Sequence, residues 1–219
     1  MVENEQALLG TFPNTYTFTK ALAERSIQKR RGNLRVTIVR PSIIISNYDD
    51  PYPGWIDTLA AAGGLIMSVQ VGLMRLLFAS ANSILDIIPC DFVSNQVIVQ
   101  TAQTGLHPEP SLRIVHSCTT VKNPIYMSEV RQRALEYPQY NPWFAQMRTP
   151  MVHFIPERRC YETTTKITEQ VPISIGKNLA KLAGNKKIEK QMDLLATVSQ
   201  KMAQMQRIFY HFMQNTWYY

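Results

Sequence analysis

The run Tyr16-Thr17-Phe18-Thr19-Lys20 holds the two side chains best placed to do chemistry. On a helix, a spacing of four sets the phenol and the ammonium on one face, one turn apart. An ammonium beside a phenol favours the phenolate form. A tyrosine so placed can give or take a proton at a carbonyl oxygen while hydride moves to or from the carbonyl carbon. Surface helices carry the same spacing by chance, so the pair alone does not specify an enzyme. What adds direction is the bend Arg40-Pro41-Ser42, which follows an apolar strand that follows the helix.

Those elements are legible one by one. Thr15 to Arg31 contains neither Pro nor Gly, and Phe18, Leu22 and Ile27 recur near helical spacing. Asn14 or Thr15 can cap its start, and basic residues gather at its end, where the helix dipole favours them. Gly32-Asn33 breaks the helix. Leu34–Arg40 then reads as a buried strand, rich in β-branched residues, and Pro41 ends it. Helix, tight turn and buried strand make half of a βαβ unit, which favours a parallel sheet in an α/β domain. Ligands of open α/β sheets sit just outside the carboxyl ends of the strands, so helix and bend aim at one crevice.

Further along, a Pro- and Tyr-rich loop runs from Asn47 to Gly54, and Trp55–Phe78 reads as a packed helix interrupted near Gly63-Gly64. Ile84–Ile88 predicts a short strand, Pro89 opens a helix to about Gln103, and Leu112–Cys118 alternates like another strand. A helix over Ile125–Leu135 and a loop lead to Arg148. From Ile173 onward Leu179, Leu182, Ile188, Met192, Leu195, Val198, Met202, Met205 and Ile208 recur at helical spacing, giving an amphipathic hairpin broken at Gly184-Asn185 whose apolar residues are expected to be core. The reading is therefore an α/β region over 1–150 and a small all-helical region over 151–219.

With 219 residues, 45% of them hydrophobic, the chain can build a sizeable core. Its charge is uneven: residues 1–150 carry 13 basic and 11 acidic groups, residues 151–219 carry 10 and 5. The basic tail lacks the dense Arg/Lys run or aromatic interleaving of a nucleic-acid module, so no nucleic-acid partner is expected. Cys90, Cys118 and Cys160 are isolated and odd in number, and His107, His116, His153 and His211 have no metal-ligand spacing, so neither a disulfide framework nor a metal site is indicated. The apolar stretch Leu59–Met74 falls short of the roughly 20 residues that span a bilayer. The polar, acidic amino-terminal run reads as neither a secretory signal nor an Arg-rich transit peptide.

Several blocks carry a family resemblance. Pro13-Asn14-Thr15-Tyr16-Thr17-Phe18-Thr19-Lys20-Ala21-Leu22-Ala23-Glu24 resembles the active-site helix of fatty acyl-CoA reductases, and Val39-Arg40-Pro41-Ser42-Ile43-Ile44 the strand and loop after it. Gly54-Trp55-Ile56-Asp57, Asp86 to Asn95, Asn123-Pro124-Ile125 and the closing stretch Phe209–Tyr219 are similar to further blocks in the same order, the last to the "male sterility" region. The resemblance implies the carboxyl-terminal part of a Rossmann-like extended short-chain dehydrogenase/reductase fold. It also implies NADPH-dependent, two-step reduction of a long-chain fatty acyl-CoA to a fatty alcohol. Tyr16 would protonate the developing oxyanion, Lys20 would hold the nicotinamide ribose and tune Tyr16, and Pro41, Ser42 and Ile43 would flank the nicotinamide. It allows peripheral membrane contact, a homo-oligomer or larger assembly, and a peroxisomal or endoplasmic-reticulum membrane location. For Asp86, Asp91 and Asn95 the expectation is structural: they cap the helix at Pro89 and tie loops together.

The sequence also departs from that family. No Gly-rich phosphate-binding loop and no catalytic serine precede Tyr16, and the one glycine ahead of it is Gly10. The chain alone is therefore expected to bind dinucleotide poorly. Ala61-Ala62 and Gln70-Val71 stand where the family usually has Gly-Pro and Gly-Lys pairs. Two readings follow: the carboxyl-terminal part of a reductase, or an inactive reductase-like subunit serving as an interaction module.

Overall fold

The computed structural model describes residues 9–58, 61–107, 109–142 and 148–216, without the side chains at 61, 207 and 208. The amino-terminal run, the start of the Leu59–Met74 stretch, the Ile208 side chain and Trp217–Tyr219 lie outside the described residues. In chain order the elements are α1 (Thr15–Arg30), β1 (Val36–Pro41), β2 (Ile43–Ile45), α2 (Ala61–Gln70), β3 (Leu76–Leu77), β4 (Ile87–Pro89) and α3 (Cys90–Leu106). There follow β5 (Leu112–Ser117), α4 (Met127–Tyr140), β6 (His153–Phe154), α5 (Arg158–Thr165), a π-helical turn (Lys166–Gln170), α6 (Val171–Leu182) and α7 (Lys186–Gln214). They fall into two compact units, each discontinuous in sequence.

The first unit takes residues up to Gly63 together with Asp86–Asn123. Here β1 pairs in parallel with β5, from Val36 opposite Leu112 to Pro41 opposite Ser117, and β2 pairs in parallel with β4. The chain changes partner at Ser42: the Ser42 amide donates to the Ser117 carbonyl at 2.9 Å, and the next amide, of Ile43, to the Asp86 carbonyl at 3.1 Å. Helix α3 carries the chain from β4 to β5, and the Arg35 guanidinium donates to the carbonyls of Gly105 and His107 at its end. A cation there complements the negative end of the helix dipole. Strand β1 is half-buried rather than buried, because among the described residues it has β5 as its one strand partner.

The second unit takes Gly64–Leu85 and residues from Pro124 onward. Strand β3 pairs in parallel with β6, so this unit draws on residues from both sides of position 150 and a short strand precedes its helices. Leu76, Phe78 and Tyr161 form a buried cluster, and the Phe78 ring stacks on Tyr161 at 5.1 Å and on Tyr210 at 4.2 Å. The buried Gln206 amide accepts from the Phe78 N–H at 3.0 Å and donates to the Leu76 carbonyl at 3.1 Å.

Three expectations need correction. Among the described residues, the helix expected over Trp55–Phe78 is found in α2, with Gly63 and Gly64 inside it, and Leu76–Leu77 is strand. Its end is set at Gly72, which has a φ of +76° and where a Cβ would stand 2.6 Å from the Arg148 carbonyl oxygen. The helix expected over Ile125–Leu135 instead starts at Met127 and runs on to Tyr140, with Pro138 in its last turn. In the hairpin, α6 meets α7 through small residues: a Cβ on Gly176 would stand 2.9 Å from Met192 Sδ, and Ala180 is buried. Leu179, Leu182 and Ile188, expected in the core, are exposed, the first two on another face of α6.

Candidate functional site

Helix α1 forms where the sequence places it. The Asn14 side chain accepts from the Thr17 amide at 2.9 Å, satisfying one of the otherwise orphaned amides of the first turn, and Lys29 and Arg30 occupy the last turn. On this helix the Lys20 ammonium lies 5.7 Å from the centroid of the Tyr16 ring, within cation–π range. Tyr16 is 54% exposed, so its phenol is open to a substrate arriving from outside the helix.

No residue of α1 is buried. What ties it to the sheet is Glu24, one further turn along the face that carries Tyr16 and Lys20. The Arg40 guanidinium grips the Glu24 carboxylate with two nitrogens, Nε to Oε1 at 2.9 Å and Nη2 to Oε2 at 2.5 Å. That hydrogen bonding, opposed by partial burial and reinforced by the charges of Arg40 and His116, holds the Glu24 carboxyl below its ordinary range. Arg40 immediately precedes Pro41, so the ion pair fastens the helix of Tyr16 and Lys20 to the carboxyl end of β1. The sequence reading did not identify this pair, although the spacing Tyr16, Lys20, Glu24 is a one-face stripe.

Pro41, Ser42 and Ile43 sit together at the point where the chain changes strand partner. The buried Ser42 Oγ has no hydrogen-bond partner among the described residues, and neither has Ser117 Oγ, whose residue stands opposite Pro41. Buried hydroxyls are ordinarily bonded, so a pair of orphans at a strand's carboxyl end is a place where a polar ligand group would be satisfied. Burial first, and then the Asp86 charge, push the neighbouring Cys118 thiol up, which argues against a thiolate nucleophile here.

Asp86 and Asp91 hold the surrounding loops. The Asp86 carboxylate accepts from the amides and hydroxyls of both Thr119 and Thr120. The Asp91 carboxylate accepts from the amides of Tyr48, Asp49, Asp50 and Phe92. Burial works against the Asp91 charge, yet these four amides hold its carboxyl below the usual value. The expected loop-tying is thus present, while the expected capping is not: Pro89 caps α3 without a side-chain bond, and Asn95 is exposed. In the second unit a half-open cleft of about 500 Å³, lined in part by Met67, Gln70, Tyr137 and Tyr140, includes none of the sequence-predicted site residues.

Among the described residues no group of three or more His, Cys, Asp or Glu is arranged to hold a metal, and no helix is long and apolar enough to cross a membrane.

Comparison with known proteins gives this arrangement a family. Residues 1–97 match the family described as male sterility protein, an NAD-binding family. The chain is 34% identical to fatty acyl-CoA reductase 1 of Xenopus laevis over 166 residues, 75% of this chain and 32% of that protein. It is 34% identical to fatty acyl-CoA reductase 2 of Mus musculus over 194 residues, 88% of this chain and 38% of that protein. Fatty acyl-CoA reductase 1 of Homo sapiens is likewise 34% identical, over 75% of this chain and 32% of its own length. The chain thus spans about a third of the length of the curated relatives it matches. On the strength of these matches and of the α/β architecture with parallel strand pairs, this chain belongs to the fatty acyl-CoA reductase family, in which a nicotinamide cofactor is indicated.

Proposed function

We propose that these residues serve an NADPH-dependent, alcohol-forming reduction of long-chain fatty acyl-CoA, with Tyr16 as proton donor, Lys20 as its partner and the Pro41–Ile43 backbone beside the nicotinamide. The observation that carries the reading is the Tyr16–Lys20 face of α1, fastened by Glu24 and Arg40 to the carboxyl end of β1. The orphaned Ser42 hydroxyl supports it, because a carboxamide beside Pro41–Ile43 would give that buried group a partner.

When bound, the reduced nicotinamide supplies hydride in each of two turns. In the first, the thioester carbonyl carbon gains hydride and its oxygen gains a proton from Tyr16, giving a hemithioacetal that breaks its C–S bond to release the CoA thiol and an aldehyde. In the second, the aldehyde carbon gains hydride and Tyr16, which has taken a proton from solvent between the turns, protonates the oxygen, giving the alcohol. Two hydrides and two protons account for the four-electron reduction. Lys20, its ammonium over the Tyr16 ring, restrains the phenol. The exposed face of α1 leaves the oxyanion's approach open to Tyr16.

The test is Tyr16→Phe in the protein at the length of its relatives, with fatty alcohol formation from a long-chain acyl-CoA as the readout and circular dichroism as the control for folding. General acid catalysis of this kind is worth about 10²–10⁴ in rate. A loss of that size with the fold intact is expected, and near-normal turnover would contradict the role given to Tyr16.

A further inference from the structure

We propose that the solvent-facing apolar stripe of α6, together with the lysines around it, docks on an anionic lipid surface. This goes beyond the reading of the Tyr16 site and does not depend on it.

Helix α6 is apolar on two faces. One is covered: Gly176 and Ala180 lie against α7, and Lys177 pairs with Asp193 across the hairpin at 2.5 Å. The other runs through Ile167 in the π-helical turn and then Val171, Ile175, Leu179 and Leu182, spaced four, four, four and three residues apart. These five side chains remain 62, 48, 53, 61 and 85% exposed. A soluble helix keeps its second face polar, and a single exposed leucine would need no explanation. A continuous row of five is a surface made to be covered.

Charge identifies what covers it. From Lys166 to Lys190 the chain carries six lysines against two glutamates. Lys166 stands beside Ile167 and Lys181 beside Leu182, while Lys186, Lys187 and Lys190 crowd the turn and the start of α7, all five of them exposed. Two copies meeting through this stripe would bring like charges together, which is unfavourable. An anionic bilayer instead takes the apolar row into its interface, and the long lysine stems let the ammonium groups rise to the headgroups. Each lysine near such a surface adds to the attraction, which salt screens.

The experiment is flotation of the 219-residue chain with vesicles of phosphatidylcholine alone and of phosphatidylcholine mixed with phosphatidylserine, accompanied by light scattering of the chain without vesicles. The chain is expected to float with the mixed vesicles and to be released by high salt. Leu179→Ser combined with Leu182→Ser should weaken partitioning at least tenfold, and Lys186→Gln combined with Lys187→Gln by roughly thirtyfold. The four positions are exposed, and unchanged circular dichroism would show that the variants fold. Flotation that is absent, equally strong with neutral vesicles, or indifferent to the Leu179/Leu182 change would overturn the proposal. So would a dimer that forms through the stripe while the chain ignores vesicles.

Discussion

The two units secure their key elements by different physics. In the second, Phe78 stacks with both Tyr161 and Tyr210, and the buried amide beside it, Gln206, has both a donor and an acceptor satisfied. In the first, α1 has no buried residue and hangs on an ion pair, and the loops around the sheet's carboxyl end hang on the carboxylates of Asp86 and Asp91. Apolar packing resists salt and pH; carboxylate clamps do not. The unit that carries the candidate chemistry is therefore the one whose geometry can be adjusted by its electrostatic surroundings.

The contrast can be broken most forcefully from the packed side. Phe78→Ala removes a ring stacked with two others, and large-to-small changes of a buried aromatic cost about 3–5 kcal/mol. Chemical denaturation should show a loss of that size, unaltered between low and high salt; a loss below about 1 kcal/mol would mean the stack is not what holds this unit. Next in size is Asp86→Ala in the first unit. It leaves the amides of Thr119 and Thr120 and the Thr120 hydroxyl without their acceptor, while the Thr119 hydroxyl keeps the Ile87 carbonyl, and a buried group so stranded costs about 1–3 kcal/mol. Amide exchange around Thr119 and Thr120 should accelerate while that of α7 stays unchanged. Equal acceleration in both regions would erase the distinction between the units.

How much of this was readable in advance follows the range of the interactions. The α1 helix was legible because its determinants are local: Asn14 at the cap, sixteen helical residues free of Gly and Pro, basic residues in the last turn. The break at Gly184-Asn185 was legible for the same reason. Gly63-Gly64 misled, since each glycine costs a helix only about 1 kcal/mol and α2 continues through both, with Ala62 and Val69 buried. Leu76–Leu77 was hidden because a two-residue strand has no period and its partner, His153–Phe154, lies far along the chain. Leu179 and Leu182 carry the right spacing for a core, yet Gly176 and Ala180 decide which face of α6 approaches α7. Spacing reveals that a face is apolar, not which of two apolar faces is covered.

The smallest expected effect probes the clamp on α1 itself. Glu24→Gln removes the charge but keeps the shape, and because the Glu24 and Arg40 side chains are 29 and 43% exposed, solvent screening limits the cost at neutral pH to about 0.5–1 kcal/mol. The sign of its pH dependence follows from the lowered carboxyl. Since Glu24 is more acidic folded than unfolded, its contribution is complete above the unfolded value of about 4.5 and is lost as pH falls through the folded value. The stability difference between the native chain and Glu24→Gln should thus be flat near neutrality and vanish in acid, as should the difference in amide protection along α1. No difference at neutral pH would mean that shape, not charge, docks the helix, and one that persists when Glu24 is protonated would mean that the substitution acts by something other than charge. On the proposed reading, in the protein at the length of its relatives the same substitution leaves Tyr16 and Lys20 in place, so alcohol formation should fall by much less than with Tyr16→Phe. A fall as deep as that of Tyr16→Phe would move Glu24 from a positioning role into the chemistry.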